Sequence, residues 1–422
     1  MRGIVLTLTL SLMLSGITLT HGRAESADDL FKAGKFVEAE KLYAKVVAED
    51  AKNYQATLRL GHLALLSNRF DEAQKWLAKA AELKPEEKSP KSLLAETYYR
   101  RDDFEHAATL FAAAGREVKA KQMESFKGLV PYQLEGKTEI TRLKFIHTDP
   151  LPLVSVKVNE SEEVNFLIDT GGGETILDTE FAKKIGAVQS GTERATYGGN
   201  TQAETGEGRV NSLTLGDWVI KNVPVHILST RQFSGAARGK QVDGIIGTVL
   251  LYHFISTLDY PNGELILRRR TKESVKQMEQ QAAAEKQITM PFWLAGDHLM
   301  VAWGSVNKSQ PMLMLVDTGL AGGGFVCPQS TIDEVGIKLP EGQGSEGTFG
   351  GGKAKIVPFV VEELSLGEAK GQSITAFFGP FPSSLEYGQG FRIGGLVSHQ
   401  FFRPYALTFD FNGMKLLLRK KN

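Results

Sequence analysis

The chain has one cysteine, Cys327, among 422 residues. That excludes an internal disulfide, a cysteine-based metal knuckle and a Cys-x-x-Cys redox pair, and leaves stability to packed cores. An excess of one charge is also missing. With 49 Lys plus Arg against 49 Asp plus Glu, no global field draws the chain to nucleic acid or an anionic surface. The 8 histidines are scattered, with no His-Glu-x-x-His, so neither a metal nor a cofactor is expected. Apolar residues from Ile4 to Leu19 follow Arg2 and precede small residues at Gly22 and Ala24, the layout of a secretory signal peptide over residues 1–24 and short for a membrane span. The expectation is an exported product, periplasmic or secreted, with no stable membrane span once that segment is removed.

What is present suits two or three folded domains: 42% of residues are apolar and no stretch is biased enough for extensive disorder. Within residues 25–125, Phe36, Phe70 and Phe104 recur at a spacing of 34, as do Ala39, Ala73, Ala107 and Leu42, Trp76, Leu110. A small alanine among large apolar residues at helical spacing marks a site where paired helices touch, so this is an all-α array of about three helix pairs. Such an array either grips a peptide or partner protein in its concave face or steadies the neighbouring domain. Residues 126–137 read as a linker. From Thr138 the pattern becomes alternating and β-branched, and Asn262-Gly263 and Asn412-Gly413 sit between apolar alternations as hairpin signals. Residues 271–287 are polar and rich in Ala, Gln, Glu and Lys, which predicts an exposed helical linker. It divides a β-rich region into two related lobes, 138–270 and 288–422, giving an all-α array followed by an all-β bilobal fold.

Landmarks repeat between the lobes. NFLIDTGGGETIL (Asn165–Leu177) and MLMLVDTGLAGGGFV (Met312–Val326) each run an apolar strand into Asp-Thr-Gly and then into glycines. The pairs Asp169/Asp317, Gly247/Gly395 and Phe254/Phe402 are each 148 apart, and Tyr197-Gly198-Gly199 corresponds to Phe349-Gly350-Gly351 at 152. A carboxylate ends a buried run because it must meet water or a partner. Two such tips brought together cannot both ionise, so one becomes base and the other acid, which suffices to activate a water against an amide. Two strand-end turns without chemistry would carry the same residues. GTFGGGKA (Gly347–Ala354) comes near a phosphate-binding loop, but no Ser or Thr follows the lysine and the next stretch reads as extended.

FLIDTGGGETIL resembles the active-site strand and loop of retropepsin-like aspartic proteases. VDGIIG (Val242–Gly247) is similar to the apolar-apolar-Gly segment behind the catalytic loop in that family, with RIGG (Arg392–Gly395) as a poorer echo. Two motifs in one chain resemble the pepsin-like arrangement, and the helical repeats resemble tetratricopeptide repeats. The resemblance implies an aspartic endopeptidase, active as a monomer on peptide or protein substrates. Asp169 and Asp317 would form the dyad, with Thr170, Gly171, Thr318 and Gly319 supporting the loops. Tyr197, Gly198, Gly199, Phe349, Gly350, Gly351 and Glu174 would form flaps and substrate wall. After the second motif no acid follows and the loop is one residue longer, so the substrate walls differ. The alternative is an inactive cleft that binds a peptide, with the repeats as a scaffold.

Overall fold

The computed structural model describes residues 25–342 and 344–420; the segment read as a signal peptide lies outside them. Three helix pairs come first: Ala27–Lys32 with Phe36–Glu49, Tyr54–Leu66 with Phe70–Leu83, and Lys88–Tyr99 with Phe104–Ala113; Glu117–Glu124 closes the array. Phe36, Phe70 and Phe104 each open the second helix of a pair. Ala39, Ala73 and Ala107 have no exposed surface, because a larger side chain there would push the paired helices apart. Gly61 serves the same end from the facing side, since a Cβ there would lie 2.6 Å from Leu77 Cγ. Caps fix the starts: Ser26 and Asp29 form a capping box, and the Asn53 side chain accepts from Ala56 N at 3.0 Å.

The array does not stand clear of the β lobes. Its first pair buries Phe31 and Phe36 against Trp293, Trp303, Leu313 and Phe391 of the second lobe. Its third pair shares one core with the first lobe through Tyr99 and Phe104, joined by Phe126 from beyond the closing helix. Arg100, 3% exposed, ties the middle by donating to Leu65 O, Leu294 O and Gly296 O at 3.0, 3.2 and 2.9 Å. The stretch expected to be a linker is therefore structural. Phe126 and Tyr132 are buried, and Gln133–Glu135 pairs antiparallel with Trp218–Ile227. Three residues are too few for a strand period to register in sequence.

In the first lobe the buried strand Val164–Ile168 runs parallel to Gly244–Ile246, which pairs antiparallel with Thr175–Leu177. The second lobe repeats this with Met312–Val316, Gly395–Val397 and Phe325–Cys327. That register corrects two sequence pairings. Phe166 opposes Gly244 where Met314 opposes Gly395, so the partner of Gly395 is Gly244, 151 residues away, not Gly247. Phe254 likewise corresponds to Tyr405, each beginning the same strand of a shared sheet. The echo of VDGIIG is thus Ile393–Ser398, a closer match than RIGG. The drift starts directly after the motifs: Thr175–Leu177 begins six residues past Asp169 and Phe325–Cys327 eight past Asp317. The second loop is therefore two residues longer, not one.

A six-stranded antiparallel sheet joins the lobes, in the order Ile288–Pro291, Lys415–Lys420, Tyr405–Asp410, Phe254–Asp259, Glu264–Arg269, Ile140–Lys144. The hydroxyls of Thr257 and Thr408 meet across its centre at 2.8 Å. Both Asn-Gly pairs lie in its hairpins, inside four-residue turns that join Asp259 to Glu264 and Asp410 to Lys415. Helix Lys272–Ala284, opened by a Thr271/Ser274 capping box, carries the chain between lobes. No described helix is long and apolar enough to cross a membrane.

Candidate active site

Asp169 and Asp317 each sit one residue past a buried parallel strand. Their amides are held alike: Asp169 N donates to Ile246 O and Asp317 N to Val397 O, both at 3.0 Å. The threonines that follow reach across the lobe boundary. Thr170 Oγ1 donates to Val316 O at 2.9 Å, Thr318 Oγ1 to Ile168 O at 3.3 Å, and Thr170 N to Thr318 Oγ1 at 3.0 Å. Neither threonine has exposed surface, so each loop fixes its counterpart through buried bonds. Gly171 and Gly319 are required by close approach rather than by backbone angle. A Cβ on Gly171 would lie 2.6 Å from Asp317 Cγ, and one on Gly319 would collide with the Asp169 carboxyl. Their amides donate to Asp169 Oδ1 at 2.8 Å and Asp317 Oδ1 at 2.6 Å.

The two carboxyl groups act on each other, and each lies against the glycine of the opposite loop. Both are half-buried and border the cavity described below. Withdrawal from water, then the charge of Asp169, holds the Asp317 carboxyl well above the ordinary aspartate value of 3.8. Asp169 is also raised by withdrawal from water, but the bond from Asp317 and the amides of Gly171 and Gly172 favour its charged form. The pair titrates as a unit and shares one proton in its singly protonated form.

Above the dyad two hairpins meet at their tips. One joins Val188–Tyr197 to Thr201–Leu215 through Gly198–Asn200; the other joins Ser345–Phe349 to Gly352–Leu366 through Gly350 and Gly351. Gly199 takes a φ of 70°, and its Cβ position lies 2.6 Å from the Phe349 ring; a Cβ on Gly350 would overlap the Tyr197 ring. The Thr201 hydroxyl accepts from Gly351 N at 3.2 Å, and Gln232 Nε2 donates to Gly350 O at 3.1 Å. With extended strands on both sides, Gly347–Ala354 forms no phosphate loop. Beneath the tips lies a cavity of ≈1670 Å³ that both aspartates border.

Residues 154–250 match the family model described as aspartyl protease, and residues 30–96 match that of a tetratricopeptide repeat. The chain joins tetratricopeptide repeats to an aspartyl protease fold. The protease match covers the first lobe, and the second repeats that lobe's strand pairings. A solved retropepsin-like aspartic protease from Rickettsia conorii is similar at 21% identity over 33% of this chain and 95% of its own, with a TM-score of 0.23. No curated protein matches.

Glu174 borders the cavity, and it does so where the first lobe meets the repeat array. It is 2% exposed, and its carboxylate is turned into the repeat array. Tyr99 Oη donates to it at 2.6 Å, Gln122 Nε2 at 3.1 Å, and Lys119 Nζ contacts it directly. His226 Nε2 stands 3.4 Å from Glu174 and 3.0 Å from Glu207. Burial alone would raise the Glu174 carboxyl, but Lys119 and then His226 outweigh it and bring it down to about 2. Burial alone would lower His226, and Glu207 with Glu174 instead push it up to about 9. Ligand atoms of Glu174, Glu207 and His226 lie within 4.8 Å of one another, the spacing a metal would need. Lys119 already stands among them, however, and with the imidazolium balances both carboxylates, so the cluster offers no net charge to a cation. Sequence reasoning missed this cluster because Lys119 lies on a helix far from the motif, and nothing in the local pattern of His226 or Glu207 differs from an ordinary half-polar strand. Cys327 is fully buried and burial pushes its thiol up to about 12, as suits a core residue.

Proposed function

We propose that this chain is an aspartic endopeptidase in which Asp169 and Asp317 activate a water between them. Asp169 takes a proton from the water as its oxygen bonds to the amide carbon, and Asp317 gives its proton to the carbonyl oxygen. As the tetrahedral intermediate collapses, the C–N bond breaks, Asp169 passes its proton to the leaving nitrogen, and Asp317 recovers a proton from the hydroxyl. The observation that carries this reading is the convergence of two carboxyls, each against the other lobe's glycine and each with raised proton affinity, in a site walled by two hairpins. The free strand edges and flap tips suit an extended peptide, whose backbone can bond to them.

Denatured casein incubated with wild type, Asp169→Asn and Asp317→Asn, with products read by mass spectrometry, tests the assignment. The wild type should cleave, and each variant should lose at least about 10³-fold in rate while melting like the wild type. Full activity in either variant rejects the mechanism. Peptide binding without cleavage by the wild type at every pH favours a binding module. The same reading takes the product to be exported and monomeric; N-terminal sequencing of the mature chain should begin at Glu25, and a start at Met1 rejects export by cleavage.

A further inference from the structure

The cavity over the dyad does not end at the lobes. It continues along the concave face of the repeat array, bordered by residues of Tyr54–Leu66, Lys88–Tyr99 and Glu117–Glu124 but by none from Phe36–Glu49, Phe70–Leu83 or Phe104–Ala113. The inner helices thus face the chemistry, whereas the outer ones face away from it. We propose that this concave face is an extension of the substrate cleft and holds one flank of the same extended peptide whose scissile bond lies at the dyad. This inference rests on the peptidase reading above.

The lobes repeat about an axis between the two carboxyls, as the reciprocal threonine bonds require. An extended chain crossing that axis has one half beside Gly172–Glu174 and the other beside Leu320–Gly322. On the second side Leu320 and Ala321 are half-buried and Gly322 is exposed, so a chain leaves to solvent. On the first side Glu174 lies against Tyr99, Lys119 and Gln122 of the array, so a chain leaving there meets the array. That path runs past Arg116 and Glu96 to Ser92, Leu58 and Tyr54. It offers apolar surface at Leu58 and Tyr54, and a half-buried cation at Arg59, whose guanidinium lies over the Phe31 ring at 4.1 Å and borders the cavity. A peptide main chain, with a carbonyl at every residue, supplies acceptors for a guanidinium at the groove wall. The occupant is therefore a polypeptide flank continuous with the substrate, not a separate adaptor protein.

Binding energy from a remote flank raises cleavage only when the substrate is long enough to reach it. At about 3.3 Å per residue, a peptide of about sixteen residues spans both regions and one of about six spans only the dyad. Two such peptides, centred on one bond that the wild type cuts in denatured casein, are compared by kcat/KM. The long peptide should be favoured by about tenfold or more, and Ser92→Trp, which fills the path, should erase that advantage. Equal kcat/KM for both peptides in the wild type overturns the inference, as does an advantage that Ser92→Trp leaves intact. Should the wild type cut nothing, the peptidase reading fails and binding decides the inference separately. Fluorescein-labelled casein peptides of both lengths are then titrated into Asp169→Asn, with and without Ser92→Trp, after circular dichroism shows both variants folded. Tighter binding of the long peptide that Ser92→Trp abolishes supports the groove; no binding, or binding indifferent to length or to Ser92→Trp, overturns it.

Discussion

At the scale of single residues, the site depends on a few atoms with no room to spare. Gly319 lies so close to the Asp169 carboxyl that a methyl group cannot be added without moving it, so Gly319→Ala should reduce kcat at least about 10²-fold with little change in folding. Retention of wild-type kcat would show that the carboxyl is not held where the mechanism needs it. Glu174 makes a different prediction. Lys119→Met leaves two buried carboxylates, Glu174 and Glu207, sharing the single cation His226 and should cost about 3–5 kcal/mol of stability by denaturant unfolding; a loss below about 1 kcal/mol would mean that the ion pair is dispensable. The same cluster gives a pH dependence. The folded Glu174 carboxyl is lowered to about 2 from an ordinary 4.5, so its stabilisation is present above 4.5 and lost as pH falls through 2. His226 is raised to about 9 from 6.5, so its stabilisation is complete below 6.5 and lost as pH rises through 9. Melting temperature should therefore peak between these limits, and Glu174→Gln should flatten the acid limb; an unaltered acid limb would assign it to other carboxylates.

At the scale of elements, what could be read in the sequence is what repeats locally. The spacing of 34 was visible because each helix pair needs a small residue at its own contact, and Ala39, Ala73 and Ala107 supply it with no exposed surface. Ala73→Leu should accordingly cost about 1–3 kcal/mol through overpacking, as measured by urea unfolding; a neutral result would deny the tight helix contact. The Asp-Thr-Gly strands and glycine-tipped hairpins were legible for the same reason: apolar runs, turn residues and glycines are local signals. The correspondence between lobes was only partly legible. Loops of unequal length after the motifs shift the register from 148 to 151, and only the strand pairing shows that Gly395 answers to Gly244. The strand Gln133–Glu135 escaped because its pairing is supplied entirely by Trp218–Ile227.

At the scale of the whole molecule, the chain is one interlocked body rather than a protease with an appended array. The docking residues Phe31, Phe36, Trp293 and Phe391 could not be told in sequence from ordinary core residues, since an apolar side chain does not record which domain covers it. Their burial implies that removal of residues 25–125 uncovers a large apolar face, and the truncated chain should be recovered as aggregate rather than as soluble lobes; a soluble, active truncation would refute that dependence. The dyad likewise belongs to neither lobe alone, because each loop is braced by the other's threonine and the charge of Asp169 perturbs Asp317. The measurement that bears most directly on this account is the pH dependence of kcat/KM on a casein peptide. A shared proton predicts a bell whose alkaline limb lies well above 3.8, the ordinary aspartate value, because withdrawal from water and the charge of Asp169 keep the proton on Asp317. A rate that changes in one direction only across the acid and neutral range would contradict two carboxyl groups acting as one catalytic pair.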